Sequence, residues 1–320
     1  MNEAGKRTVL ITGGTGFVGR QLIQRILERN DYLVRAVIRE SNIETLGGCE
    51  LIPVRDIATH DDWSKALKDC EVVIHMAARV HVMKENALNP LQEFRRVNVE
   101  GTLNLARQAA RLGVKRFVYI SSIKVNGEKT QLGHAYRPED LPAPEDPYAT
   151  SKYEAEQGLL ALSTKTGMQV VIIRPPLVYG PGVKGNFQRM MNWLQKGYPL
   201  PLKTVNNKRS LVSVYNLTDL IIQCMDHPQA ANQVFLVSDG DDLSTVELLQ
   251  KIGEMMNKPV RLVPVPYWML NSMATIIGKQ AFIQRLCGSL QVDISKTCEL
   301  LEWKPKVSVD ETLRRVVRDS

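Results

Sequence analysis

The sequence holds no stretch of 18 uninterrupted apolar residues, so no membrane span is expected. The nearest candidate, residues 267–278, is short and contains Asn271 and Ser272. The five cysteines, Cys49, Cys70, Cys224, Cys287 and Cys298, are scattered and form no CxxC pair. Neither a zinc site nor a disulfide framework is indicated, and reduced thiols in a cytoplasmic protein are the default. The first apolar run is short and broken by glycine, which argues against a signal peptide. Internal repeats and low-complexity tracts are lacking. So are aromatics interleaved with the basic residues, and nucleic acid is therefore not an expected partner. The net charge of +7 is spread along the chain. It fits ordinary surface charge, anionic substrates, or a peripheral hold on an acidic membrane face.

What is present starts near the N-terminus. Lys6 to Thr12 reads as a short buried β-strand, and Gly13-Gly14-Thr15-Gly16-Phe17-Val18-Gly19 follows at once. An amphipathic helix then carries Leu22, Ile23, Ile26 and Leu27 on one face. Strand, glycine turn and helix suit a dinucleotide pyrophosphate. Gly13 permits the tight turn, Gly16 lets backbone approach phosphate, Gly19 lets the helix pack closely, and the helix N-terminus favours negative charge.

Strand signals recur at 7–12, 33–38, 50–54, 71–76, 116–121, 169–173 and 233–237. Helical patterns lie near 18–29, 61–68, 90–112, 148–166, 187–196 and 216–226. This alternation predicts an α/β fold: a Rossmann-like, doubly wound parallel sheet covered on both faces, with a smaller C-terminal substrate-binding lobe. Residues 1–180 would form the dinucleotide-binding domain, completed by about 212–238. Segments 181–211 and 239–320 would form the substrate lobe. The long loops 79–90 and 124–147 follow predicted strands, where sites of such sheets sit.

Tyr148 and Lys152 stand at i and i+4, on one face of a predicted helix. A phenol with an ordinary pKa of about 10 is too weak an acid for neutral proton transfer. A neighbouring ammonium is expected to lower that value and let the tyrosine exchange a proton while hydride moves. Val118 to Ser122 reads as a strand ending in hydroxyls, from which Ser122 could reach the same substrate oxygen.

These features have company along the chain. They include Thr12–Gly19, Asp56 after the third strand, His75-Met76-Ala77-Ala78 after the fourth, Asn98-Val99-Glu100-Gly101-Thr102 and Ser121-Ser122. Tyr148 with Lys152, Arg174-Pro175, Val178-Tyr179-Gly180-Pro181 and Asp293-Ile294-Ser295-Lys296 with Trp303 and Pro305 complete the set. In order and spacing they resemble an extended short-chain dehydrogenase/reductase of the nucleotide-sugar epimerase, dehydratase and 4-ketoreductase branch.

The resemblance implies that Gly13, Gly16, Phe17, Val18 and Gly19 line a pyrophosphate. Asp56 and Ile57 would flank adenine, Ala77 and Ala78 would lie along the cofactor, and Asn98 would brace the site. Ser122, Tyr148 and Lys152 would be the catalytic set, with Lys152 also on the nicotinamide ribose and Pro175 near the carboxamide. Arg209 resembles an arginine that grips a sugar-nucleotide diphosphate, and Asn186 an asparagine near the same group. Arg285 matches a second such arginine only approximately. His81 is a candidate sugar contact, set against an ordinary structural loop histidine. No metal ligand is implied. A homodimer through 90–112 and 148–166 is the family-level expectation.

Two departures narrow the reading. Family dehydratases carry an Asp-Glu pair after the strand-five hydroxyl, where this chain has Ile123-Lys124, so dehydration is not expected. At the end of the second strand, where NAD enzymes place an acid, this chain has Ile38 or Arg39, with Glu40 one or two residues late. Arg39 could pair with a 2′-phosphate, which favours NADP(H), with NAD(H) the alternative. The combination favours a 4-ketoreductase acting on UDP-4-keto-6-deoxy-N-acetylglucosamine for bacterial surface polysaccharide. The alternatives are a UDP-hexose 4-epimerase, including one acting on a lipid-linked sugar, and a non-catalytic cofactor-binding sensor.

Overall fold

The computed structural model describes residues 5–40, 46–59, 62–80, 89–183, 185–276, 278 and 280–319, apart from the side chains of Asn186, Ala274 and Ala281. Its strands are β1 (Arg7–Thr12), β2 (Tyr32–Arg39), β3 (Glu50–Val54), β4 (Cys70–His75), β5 (Arg116–Ile120), β6 (Gln169–Arg174), β7 (Leu177–Tyr179), β8 (Leu211–Ser213) and β9 (Gln233–Leu236). The helices are α1 (Phe17–Arg29), α2 (Ser64–Leu67), α3 (Pro90–Arg95), α4 (Thr102–Arg111), α5 (Pro147–Thr166), α6 (Asn186–Gln195), α7 (Val214–Asp226), α8 (Thr245–Met255), α9 (Tyr267–Ile276), α10 (Gln280–Cys287), α11 (Ser295–Leu301) and α12 (Val309–Arg318).

Seven strands form one sheet in the order β3-β2-β1-β4-β5-β6-β9, every neighbouring pair parallel. Parallel strands need crossovers, and those helices cover both faces, so β1 and β6 are buried almost throughout rather than at alternate positions. Val9, Leu10 and Ile11 are all fully buried. One face packs Leu22, Ile23 and Ile26 of α1 with Leu217, Leu220 and Ile221 of α7. The opposite face packs Trp63 with Leu105 and Ala109 of α4 and Ala155 and Leu159 of α5. The fold is the Rossmann-like doubly wound sheet that the alternation predicts.

A third apolar cluster lies beyond the sheet. It joins Tyr179, Phe187 and Met191 to Leu249 and Ile252 of α8 and to Leu313 and Val316 of α12. The short parallel pair β7–β8 runs beside it.

Several local expectations differ. The helix expected near 61–68 is a single turn, Ser64–Leu67. The long pattern at 90–112 is divided, because Arg96–Gly101 adopts a π-helical turn between α3 and α4. The apolar spacing is compatible with either winding, so periodicity alone does not mark the wider turn. The pair β7–β8 has three residues a strand, too short to carry a pattern, and it was not anticipated.

Candidate active site

Sheet order reverses between β1 and β4, and the loops following these strands face each other across the crevice so made. Gly13 has φ +76, a left-handed conformation that few side chains tolerate. A Cβ there would stand 2.9 Å from the Ala77 amide nitrogen, so a side chain would push the two loops apart. A Cβ on Gly19 would fall 2.2 Å from the Gly13 carbonyl oxygen. The glycine turn and α1 therefore touch backbone to backbone. Gly16 occupies the N-cap without a side-chain cap, and the first turn of α1 carries no acid. Its free amides and open cradle fit a dinucleotide pyrophosphate. Phe17 reaches from the turn to the third cluster, while Val18 packs on the sheet.

The remaining candidates for the dinucleotide lie along this edge. Arg39 is exposed at the end of β2, beside Glu40, whose carboxylate pairs with Arg55 at 3.3 Å. Asp56 receives the Ala58 amide at 3.1 Å and pairs with Arg96 at 3.1 Å. Ile57 packs against Gly101, where a Cβ would come within 3.0 Å of it. Ala77 donates its amide to the Thr12 hydroxyl at 3.2 Å, and Ala78 follows, partly buried. The same hydroxyl meets His75 Nδ1 at 2.7 Å, and Thr102 meets Nε2 at 2.9 Å. Burial, with the Lys152 charge nearby, pushes His75 down to about 3.

The π-helical turn turns Asn98 inward. Its amide donates to the Arg79 carbonyl at 3.1 Å and to the Ser151 hydroxyl at 2.9 Å, and its carbonyl accepts the Arg79 amide at 2.8 Å. One side chain thus ties the loop after β4 to α5.

Helix α5 starts at Pro147, with the Asp146 carboxylate accepting the Ala149 amide at 2.7 Å. Tyr148, Lys152 and Glu156 follow one another along one face. Ser122 stands just past β5, where its hydroxyl accepts the Lys124 amide at 3.3 Å. Tyr148 is raised to about 12, by burial first and the Asp146 charge second, with hydrogen bonding to Ser122 opposing. The lowering expected from a neighbouring ammonium is therefore not what the site provides. The Lys152 amine instead donates to the Ile120 carbonyl at 2.8 Å and lies 4.5 Å over the Tyr119 ring. Burial pushes Lys152 down to about 7, against an upward pull from Glu156. Glu156 is held by Arg174, Nη2 to Oε2 2.6 Å, and Arg174 also donates to Asn126 at 3.0 Å.

Ser122 and Tyr148 open onto a cavity of about 310 Å³ that Pro175, Arg209 and Arg285 also line. Arg209 donates to the carbonyls of Arg285 and Gly288 at 3.0 and 2.9 Å. Burial first and the Arg285 charge second lower its pKa, with Glu128 opposing. Two cations thus share one wall. Asn186 begins α6, and His81 lies outside the described residues. Among the described residues no group of three or more His, Cys, Asp or Glu could hold a metal.

Two charged cavity residues were given no role by the sequence reading. Lys124 and Glu128 line the wall and pair at 2.6 Å, and Lys124 also reaches Asp146 at 2.6 Å. Their i,i+4 spacing was visible and the loop 124–147 was expected near the site, but not that these two side chains form the cavity wall. An acid, Glu128, therefore shares the cavity with Ser122, though it is paired with Lys124 and lies 3.8 Å from Arg285. Trp193 and Phe282 add an edge-to-face pair at 6.0 Å.

The family model described as NAD dependent epimerase/dehydratase family matches residues 9–238. A Vibrio cholerae protein named UDP-glucose 4-epimerase is 48% identical over 313 residues, covering 98% of this chain and 95% of its own. An Escherichia coli O157:H7 N-acetyl-alpha-D-glucosaminyl-diphospho-ditrans,octacis-undecaprenol 4-epimerase is 24% identical, over 90% of this chain and 88% of that one. Among solved structures, UDP-glucuronic acid 4-epimerase from Bacillus cereus in complex with NAD aligns at a TM-score of 0.79 and 22% identity, covering 98% of both chains, which shows the shared fold.

Proposed function

The chain is an enzyme of the NAD dependent epimerase/dehydratase family, and on that premise we propose that it reduces the C4 keto group of a UDP-sugar, UDP-4-keto-6-deoxy-N-acetylglucosamine, for bacterial surface polysaccharide. The observation that carries this reading is Tyr148. Raised to about 12, it keeps its proton at neutral pH beside Ser122, at the wall of a cavity with two cations. A phenol in that state gives up its proton only to a stronger base, and the alkoxide that forms as hydride reaches a ketone is one.

In this reading the third cluster and its surroundings, 181–211 and 239–320, serve as the substrate lobe. Arg209 and Arg285 grip the diphosphate with Asn186, and His81 touches the sugar. Gly13, Gly16, Phe17, Val18 and Gly19 hold the pyrophosphate of the dinucleotide, Asp56 and Ile57 its adenine, and Arg39 a 2′-phosphate, so that NADP(H) is the preferred form. Ala77, Ala78 and Pro175 lie along it, Asn98 braces the loop, and Lys152 holds the nicotinamide ribose. The reduced dinucleotide, when bound, supplies the hydride. Ser122 orients the C4 oxygen by hydrogen bonding. As the carbonyl π pair becomes an alkoxide pair, Tyr148 transfers its proton to that oxygen. The resulting phenolate takes a proton from solvent, so each ketone consumes one hydride and one proton. The outer faces of α4 and α5 are the proposed homodimer contact.

The relative named UDP-glucose 4-epimerase favours a second reading, a UDP-hexose 4-epimerase. There the same tyrosine would accept a proton and return it, with no net use of cofactor. The test mixes UDP-4-keto-6-deoxy-N-acetylglucosamine with NADPH or NADH and the purified protein, and follows absorbance at 340 nm. Stoichiometric loss, abolished by Tyr148→Phe, is expected. Interconversion of UDP-glucose and UDP-galactose without such loss would replace the reductase with the epimerase.

A further inference from the structure

Helix α9 turns an apolar side to solvent. Trp268 is 69% exposed, Met273 61% and Ile276 85%, with Tyr267 and Met269 also exposed. The helix is anchored from below by Leu270, which is buried in the third cluster. Its hydroxyls are turned inward on the backbone. Ser272 donates to the Trp268 carbonyl and Thr275 to the Asn271 carbonyl, each at 2.8 Å, so the outer face asks little of water. A patch of this kind marks a docking surface.

The surrounding charge says what docks there. From Met255 to Val292 the chain contains no Asp or Glu, while it contains Lys258, Arg261, Lys279 and Arg285. Arg261 and Lys258 are exposed just before the helix. Lys203, also exposed, joins them because its amide donates to the Val263 carbonyl at 3.2 Å. Val263 itself is exposed. Tryptophan, tyrosine and methionine beside a cationic rim match the boundary between acyl chains and anionic headgroups. At ten residues α9 cannot cross a bilayer, and no described helix is long and apolar enough to do so. We propose that α9 docks the protein on the anionic surface of a lipid bilayer, lying in the interface plane with Trp268, Met273 and Ile276 among the upper acyl chains. None of these side chains takes part in the proposed chemistry. Docking and catalysis therefore stand or fall separately, although α10, packed on α9, carries cavity residues Phe282, Arg285 and Leu286.

The experiment sediments the full chain with vesicles of phosphatidylcholine alone, or with one third phosphatidylglycerol. Binding to the anionic vesicles is expected, with little to the neutral ones, and rising salt should weaken it. The double variant Trp268→Ser, Ile276→Ser should bind on the order of tenfold less or weaker still, given two exposed apolar side chains removed. Arg261→Glu should also weaken it, with unchanged circular dichroism in both variants. Equal sedimentation with and without phosphatidylglycerol, no binding at all, or a double variant that binds like the parent would each overturn the proposal. If the double substitution instead lowers the mass of the lipid-free protein, a second copy covers this face and the lipid surface does not.

Discussion

Lys152 shows how far one side chain can be held from its ordinary state. Its ammonium is buried, and the Ile120 carbonyl, the Tyr119 ring and the Glu156 charge offset only part of the lost hydration. Its ordinary value of 10.5 falls to about 7 in the fold. Between those values the unfolded chain binds a proton that the folded chain does not, so this group makes stability rise with pH from about 7 towards 10.5. Below about 7 the folded protein carries the full cost of a buried cation. Lys152→Met should accordingly flatten the rise in unfolding free energy of the ligand-free protein between about pH 7 and 9, by on the order of 2 kcal/mol. Urea unfolding of both proteins at three pH values tests this, and parallel pH curves would refute it. His75 acts in the same sense at lower pH: pushed down from 6.5 to about 3, it stays neutral through the physiological range and keeps both ring nitrogens on threonine hydroxyls.

At the scale of the element, α5 is the part that makes a site out of a crossover. Pro147 and Asp146 start it, and Asp146 has two further tasks. It pairs with Lys124 and its charge helps raise Tyr148. Separate substitutions should separate these roles. Asp146→Ala loses the cap and the ion pair and should lower stability by about 1–2 kcal/mol in denaturant unfolding. Asp146→Asn keeps a capping oxygen but removes the charge, and should lower the Tyr148 pKa. Ultraviolet titration of the phenols, differenced against Tyr148→Phe, reads that shift directly. No shift in the Asn variant would mean that burial alone sets the tyrosine. The π-helical turn before α4 plays a matching part, since it holds Asn98 within hydrogen-bond reach of both Arg79 and Ser151.

For the molecule as a whole, the buried pair Glu156–Arg174 joins α5 to β6, and Asn126 draws in the segment after β5. Each guanidinium nitrogen of Arg174 has a partner there, and removing Glu156 leaves an uncompensated charge. Glu156→Ala should cost on the order of 3–5 kcal/mol, and Glu156→Leu combined with Arg174→Met should cost less than that single change. Chemical denaturation of the set measures the coupling. Additive losses would mean that packing, not the charge pair, holds the two elements together.

The local sequence determined the sheet. Apolar runs at 7–12, 50–54, 116–121 and 169–173 fall within a residue of β1, β3, β5 and β6, because buried parallel strands need no partner to announce them. It also determined the glycine turn, where Gly13 and Gly19 are the only residue type that the backbone contacts admit. The i,i+4 spacing of Tyr148 and Lys152 was legible for the same reason, since a helix fixes which residues share a face. Only the tertiary structure decided what surrounds them. Whether Tyr148 is lowered by an ammonium or raised by burial depends on where Lys152 points, and it points at Ile120. Whether Lys124 and Glu128 stand in solvent or in the cavity wall depends on how a long loop closes over the site. Arg209 and Arg285 lie far apart along the chain, and packing of the segments after β7 brings them to one wall. Desolvation and charge act through space, and spacing along a chain reports distance in space only inside a regular element.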